Sequence, residues 1–317
     1  MFYDENGNGA RDADETAVVP NVDVKIGGQQ AVSQAGSGYT ALDNVPAGVN
    51  PVTFGAMPPF YKAGVPVSLT VPQPPGIEFS VPLTLAIGSN QPGTYMAFGD
   101  SITDGDGSDD DQGYRILLQK KLQAFFQQGT LVNQAIGGTR SNEGSARMPG
   151  SLAATTPAYT LILYGTNDWN DGECRDDFPC YTIDSLRAMI NDAKARQTLP
   201  VISTIIPCNT GYDARTPPER NVWVSDMNNL IKPMAQEEGA VLVDNYAAFM
   251  AVPDFHTLFS DHVHPNEDGY QIMADQWFKA ITQPAAAAQT REVAPPVMPP
   301  HGRNYGNPGR IMGPHEE

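Results

Sequence analysis

Over roughly the first ninety residues, apolar positions come in short alternating runs. "VPNVDVKIGG", "YTALDNVPAG", "PVTFG" and "VPVSLTV" are separated by turn residues. A period of two sends alternate side chains to opposite faces of a strand, and frequent Gly and Pro keep the strands short. This pattern predicts a small all-β sandwich over residues 1–90. "QPPG" and "GSNQPG" punctuate its end and place a boundary near residue 90.

From Thr94 the pattern changes. Solid apolar runs ("TYMAFG", "LVNQAIG", "YTLILYG", "LPVISTIIP", "AVLVDN") alternate with stretches of helical period. In "GYRILLQKKLQAFFQQG" the spacing puts Tyr114, Leu117, Leu118, Leu122 and Phe125 on one helix face. "IDSLRAMINDAKARQ" and "NEDGYQIMADQWFKAI" repeat the pattern. "TPPERNVWVSDMNNLIKPMAQEEG" opens like a capping box, with Thr216 as cap and Glu219 three residues on, and Pro233 is placed to kink the helix late. Buried strands alternating with helices predict a mostly parallel sheet covered on both faces, over residues 91–283. Residues 284–317 are rich in Pro and Gly without periodicity and read as a flexible tail.

Composition narrows the classes. Across 317 residues, 36 acidic against 19 basic side chains give a formal charge of −17, which argues against a polyanionic partner such as nucleic acid. No run approaches the about 18 apolar residues that a membrane helix needs. No leader-like segment opens the sequence, a weak pointer to a cytoplasmic home. Cys174 and Cys180 in "CRDDFPC" are spaced either for a small disulfide clip or for two unpaired thiols, and Cys208 reads as packing.

The opening loop "DENGNGARDADE" crowds oxygen-bearing side chains into twelve residues. Asp4, Asn6, Asn8, Asp12 and Glu15 fall at positions 1, 3, 5, 9 and 12, with Gly9 at the sixth and the Ala10 carbonyl at the seventh. Calcium takes six to eight hard oxygens, and this spacing wraps a chain around it. The alternative is a solvated acidic turn. "FYDENGNGARDADETAVVPNVDVKI" followed by "GSGYTALDNVPAG" resembles the B-type repeat of bacterial surface adhesins over about residues 1–88. That resemblance implies a calcium-stabilised β-sandwich whose metal is structural; its role is open between contact with carbohydrate or a cell surface, packing on the second region, and spacing that region from a surface.

Four stretches of the second region carry candidate chemistry. "FGDSITDG" puts Ser101 just after an apolar strand, where sites of α/β sheets form. "NQAIGGTRS" offers the unobstructed backbone N–H of Gly138, and "YGTNDWN" the side-chain amide of Asn167. "DHVHP" spaces Asp261 and His264 so that one turn brings the carboxylate to the ring. Each alone is equally readable otherwise, as a turn, an Asx-turn or, for Asp261 and His264, a metal half-site or a chance pair. His262 and His256 read as packing or surface. The acidic run "DGDGSDDDQG" reads as a rim loop ahead of a second cation site at Asp104, Asp106 and Ser108. Arg140 and Arg147 are placed either to steer an anionic or sugar substrate or to pair with these aspartates. Tyr164 and Trp169 are placed either to stack on a sugar or to pack as ordinary core.

Taken together and in this order, the four blocks resemble the SGNH (GDSL-type) hydrolases over about residues 92–282. The resemblance implies a flavodoxin-like three-layer α/β/α fold. It implies Ser101 as nucleophile, His264 as base and Asp261 as its orienter, with Ser101, Gly138 and Asn167 forming the oxyanion hole and no catalytic cofactor. It also implies a secreted or extracellular serine esterase for short-chain esters, acetyl groups on polysaccharide among them. A lipid or lysophospholipid esterase is the alternative, and an adhesion protein on a hydrolase-like scaffold is the rival from another class.

Overall fold

A computed structural model describes residues 1–74, 76–284 and 305. Seven short strands occupy the first 84 residues: β1 Phe2–Tyr3, β2 Asp23–Ile26, β3 Gln29–Val32, β4 Gly48–Phe54, β5 Lys62–Ala63, β6 Ser68–Val71 and β7 Pro82–Thr84. They form an antiparallel sheet in the order β3-β2-β4-β6 and a smaller one in the order β1-β7-β5, in which β1 and β7 run parallel.

Five further strands follow: β8 Gln91–Gly99, β9 Thr130–Asn133, β10 Pro157–Leu163, β11 Leu199–Ser203 and β12 Val241–Val243. All their pairings are parallel, in the order β12-β11-β10-β8-β9. Counted from β8, that is the doubly wound order 2-1-3-4-5, whose direction of winding reverses between its first and third strands. Here that switch lies between β8 and β10, so the loops leaving their carboxyl ends face one crevice. The helices are α1 Ser101–Asp104, α2 Tyr114–Phe126, α3 Ser141–Thr155, α4 Gly172–Asp176, α5 Thr182–Ala195, α6 Pro218–Glu237, α7 Asn245–Met250 and α8 Glu267–Thr282.

Strand residues divide between two cores because successive side chains point to opposite faces. Tyr95, Tyr159, Leu161, Leu199 and Val201 meet Leu118 and Leu122 of α2 and Met273 and Trp277 of α8. Met96, Phe98, Ile162 and Ile202 meet Met148 of α3, Met189 of α5 and Trp223 of α6. Both faces are therefore covered, as a parallel sheet of buried apolar strands requires.

The N-terminal strands share the first of these cores. Tyr3, Val24, Tyr61 and Leu83 are buried in the same cluster as Tyr95, Phe126 and Tyr159. Tyr61 stacks on Phe126 at 6.0 Å and Phe60 meets Tyr159 edge-on at 6.1 Å. The Val18 N–H donates to Phe126 O and Gly36 N–H to Phe125 O, satisfying carbonyls at the end of α2. Tyr95 and Tyr159 stand near the amino ends of β8 and β10, so this contact lies at the opposite end of the sheet from the crevice. A continuous core predicts one cooperative unfolding transition. Phe126→Leu is expected to lower stability by about 1 kcal/mol through its lost ring pairs. Urea unfolding should give coincident midpoints by far-UV circular dichroism and by fluorescence of the tryptophans, which all lie beyond residue 168. Two separated midpoints would show that the N-terminal strands fold by themselves.

One local expectation needs correction. Thr216 does not cap α6: the helix starts at Pro218 with Pro217 as cap, and the Thr216 hydroxyl donates to Asn209 O at 2.8 Å. The two prolines that follow supply no N–H at the first two positions after Thr216, and its hydroxyl is turned to the Asn209 carbonyl instead. Pro233 lies inside the helix, which runs on to Glu237. Most of the expected tail, 285–304 and 306–317, lies outside the described residues. Tyr305 within it is buried against Phe178, with its N–H on Arg175 O and its hydroxyl donating to Asp226.

Candidate active site

The chain turns sharply as it leaves β8. Asp100 caps α1 by accepting from the Ile102 N–H at 3.1 Å, and Gly105 ends this one-turn helix at φ +100°. Only a residue without Cβ takes that conformation without strain. The result sets Ser101 at the first helical position, 8% exposed, at the carboxyl edge of the sheet.

His264 arrives from the far end of the chain. Its Nε2 lies 2.8 Å from Ser101 Oγ and its Nδ1 lies 2.8 Å from Asp261 Oδ2. The other oxygen of Asp261 accepts from the backbone N–H groups of Val263 and His264, each at 2.8 Å. Burial raises the Asp261 carboxyl, but the bonds from the His264 backbone, the His264 ring and Val263 outweigh it and hold the group below the usual carboxylate range. Asp261 is thus anionic at neutral pH and fixed by its own turn. Such an arrangement can draw a proton from the hydroxyl onto Nε2 while the carboxylate steadies the imidazolium.

Gly138 sits in the turn after β9 at φ +75°, with open space where a Cβ would be. A Cβ on the neighbouring Gly137 would lie 3.7 Å from Ser101 Cβ, so this glycine pair lies against the serine. Asn167 leaves the end of β10, its amide donating to Thr139 O at 3.1 Å and, at 3.4 Å, toward Asp100 Oδ2. The turn after β9 thus lies against Ser101, and the Asn167 amide lies against its neighbour Asp100. Burial pushes Asp100 up to about 7, with the Ile102 N–H pulling it down and the charges of Asp168 and Asp106 adding to the rise.

Two residues that the sequence reading did not single out hold these loops. Asp168 is fully buried and accepts from Ser141 N–H at 2.8 Å, Ser141 Oγ at 2.5 Å and Thr182 Oγ at 2.7 Å. It ties the Asn167 turn to the first turns of α3 and α5. Burial raises its carboxyl, and the Ser141 and Thr182 bonds offset part of that rise. Asn209 donates its N–H to His262 O at 3.0 Å and its amide to Asp261 O at 3.2 Å, pinning the Asp261–His264 turn from outside.

The remaining candidates fall elsewhere. Tyr164 and Trp169 are 1% and 5% exposed and pack on Phe98 and Trp223, so they offer no stacking face. Arg140 pairs with Asp171, while Arg147 lies over the Phe98 ring and donates to Gly99 O and Tyr164 OH. Asp104 faces Arg115 and accepts from the Asn133 amide, and Ser108 Oγ donates to Gly105 O, so these groups do not gather around a cation. His256 contacts Asn209, and His262 lies 3.5 Å from Asp261.

In the opening loop, Asp4 accepts from the N–H groups of Gly7 and Gly9, and Glu15 from those of Glu5 and Asp12. Both carboxylates are nearly fully buried. The side-chain oxygens of Asn6 and Asn8 accept from the N–H groups two residues on, and both amides donate to Asp12 Oδ2. These hard oxygens are chemically suited to calcium. Among the described residues, no three His, Cys, Asp or Glu side chains gather as a metal cage. Among the described residues, too, no helix is long and apolar enough to cross a membrane.

Comparison with known proteins agrees with the crevice. Residues 97–272 match the model of the GDSL-like Lipase/Acylhydrolase family. Thioesterase 1/protease 1/lysophospholipase L1 of Escherichia coli K12 is 26% identical over 192 residues, 60% of this chain and 84% of that protein. Esterase TesA of Pseudomonas aeruginosa is 34% identical over 119 residues, 37% of this chain and 57% of that protein. The acetylxylan esterase Axe2 of Geobacillus stearothermophilus superposes with a TM-score of 0.50 at 23% identity, covering 61% of this chain and 95% of its own, and shares the fold. With the family match spanning more than half of its length, this chain belongs to the GDSL-like lipase/acylhydrolases and is a carboxylic ester hydrolase.

Proposed function

We propose that the protein hydrolyses short-chain carboxylic esters, acetyl groups on polysaccharide among them, through an acyl-enzyme on Ser101. The observation that carries the reading is the hydrogen-bonded line Ser101 Oγ, His264 Nε2, His264 Nδ1, Asp261 Oδ2, with 2.8 Å at both links between residues. Ser101 Oγ attacks the ester carbonyl as His264 takes its proton. Ser101 N–H, Gly138 N–H and the Asn167 amide receive the oxyanion, and His264 returns the proton to the leaving alcohol. Water then repeats the sequence on the acyl-enzyme, and every group needed belongs to the chain.

The preference for short acyl groups rests on what surrounds Ser101. Its near neighbours are glycines and polar groups. Of the exposed large hydrophobic side chains among the described residues, only Ile136 and Tyr212 stand in loops leaving the carboxyl edge of the sheet. A long acyl chain would find little apolar wall there. p-Nitrophenyl esters from acetyl to palmitoyl test this: turnover should peak at acetyl or butyryl. A peak at the long chains would move the lipid and lysophospholipid reading ahead.

In the same reading, residues 1–90 form a β-module docked on a hydrolase domain of residues 91–283. The module's opening loop would hold a structural calcium through Asp4, Asn6, Asn8, the Ala10 carbonyl, Asp12 and Glu15. A site that binds only the folded state adds about 2.7 kcal/mol when the free ion stands at a hundred times its Kd. Calcium should therefore raise Tm by several degrees and leave kcat little changed, by calorimetry and by turnover with and without EDTA. Loss of turnover on chelation without a change in Tm would overturn the structural role. The Cys174–Cys180 disulfide favours secretion into an oxidising compartment, where the module's contact would be with carbohydrate or a cell surface.

A further inference from the structure

Asp106 is an acidic side chain that the proposed steps do not use, yet its backbone is held firmly beside them. Its N–H donates to Ser101 O at 3.1 Å, and its carbonyl accepts from the Tyr270 hydroxyl at 2.6 Å. It stands between Gly105 and Gly107, both in the left-handed region. A Cβ on Gly107 would lie 2.9 Å from His264 Cβ and 2.7 Å from Pro265 O, so the loop packs directly on the turn that carries the base. This fixed backbone leaves the Asp106 carboxylate 3.9 Å from His264 Nε2, with its side chain 51% exposed against 18% for His264.

Orienting the imidazole is already done from Nδ1 by Asp261. What Asp106 adds is a negative charge on the solvent side of Nε2, the nitrogen that would hand a proton to the departing alcohol. No Lys or Arg pairs with it among the described residues, whereas the neighbouring Asp104 faces Arg115. Asp109, Asp110 and Asp111 continue the same loop without a basic residue between them and deepen the potential.

We infer that Asp106 is a specificity-determining residue, which makes the leaving-group side of the crevice select esters of uncharged or cationic alcohols and reject anionic ones. This rests on the serine-esterase reading and sharpens its substrate class. An acetylated neutral sugar hydroxyl fits the field; a lysophospholipid phosphate or a thioester of a nucleotide-phosphate carrier opposes it. Like charges about 6 Å apart, at an effective dielectric of about 40–80, give a roughly three- to tenfold penalty.

The experiment compares 3-acetoxybenzamide with 3-acetoxybenzoate, which differ in leaving-group charge at nearly constant shape, each corrected for its hydroxide-catalysed rate. Wild type should favour the amide three- to tenfold in kcat/KM, and added salt should shrink that ratio by screening. D106N should bring the ratio close to one while its turnover of the neutral ester stays within about threefold of wild type, and D106E should restore the discrimination. An unchanged ratio in D106N would overturn the inference. So would an equal loss on both esters, which would make Asp106 a helper of the base instead of a filter. A wild type inert toward the neutral ester would overturn the esterase reading, and this inference with it.

Discussion

Ser101→Ala is expected to lower kcat on an acetyl ester by roughly 10⁴–10⁶-fold while the protein stays folded. The size follows from what remains. Three other serine hydroxyls near the crevice are already committed: Ser141 Oγ donates to Asp168, Ser108 Oγ to Gly105 O, and Ser260 Oγ to His264 O. None stands at His264 Nε2, so no substitute nucleophile is at hand. The residual rate would come from oxyanion donors and binding alone, acting on a water molecule. Stability should change little, because the deletion removes one hydroxyl at a crevice wall and leaves the packing of Ile102 and Thr103 in place.

His264→Ala should approach the same floor, and the double variant should be no slower than either single one. Groups that act as one unit lose their function together, so their effects do not add. A fluorophosphonate probe supplies a second readout: it should label wild type once, at Ser101 by mass spectrometry, and should not label the variant. Turnover surviving in Ser101→Ala, with unlabelled protein, would remove the serine from the mechanism, whereas a folded wild type inert toward esters of every length would revive the reading of the fold as a scaffold for adhesion.

The sheet was legible because its strands are buried on both faces and so read as unbroken apolar runs, punctuated by the loops that carry Ser101, Gly138 and Asn167. The residues that hold these loops were not. Asp168 meets Ser141 and Thr182, and Asn209 meets Asp261 fifty-two residues away, as hydrogen bonds between segments that only the folded sheet brings together. Their one local signal was that Asp168 adjoins Asn167 in the chain. Periodicity was equally silent on partners. It predicted short strands over the first ninety residues, but not that Tyr3, Tyr61 and Leu83 would share a core with Tyr95 and Tyr159. Trp169 and Tyr164 show the same limit: an aromatic at a strand end is read as a stacking face or as core, and only packing against Trp223 and Phe98 decides for core.

Asn167→Ala is expected to lower kcat by about 10²–10³-fold, a loss of ~2.7–4 kcal/mol of transition-state stabilisation. Its amide is placed by two constraints of unequal strength. The bond to Thr139 O at 3.1 Å fixes the plane of the group, while the approach to Asp100 Oδ2 at 3.4 Å is long for an N–H donor. A donor held in position but weakly engaged is what an oxyanion can recruit at little cost, since no strong bond must break as the charge develops. The loss should therefore fall on kcat with KM nearly constant, because the neutral carbonyl of the ground state gains less from the amide than the tetrahedral oxyanion does. Affinity for a boronic acid that mimics this oxyanion should fall in parallel with kcat. Asn167→Asp should be slower still, because it replaces the donor with an acceptor and sets a third carboxyl among Asp100 and Asp168. A rise in KM at unchanged kcat would instead place Asn167 in substrate binding and leave the oxyanion to the backbone donors of Ser101 and Gly138.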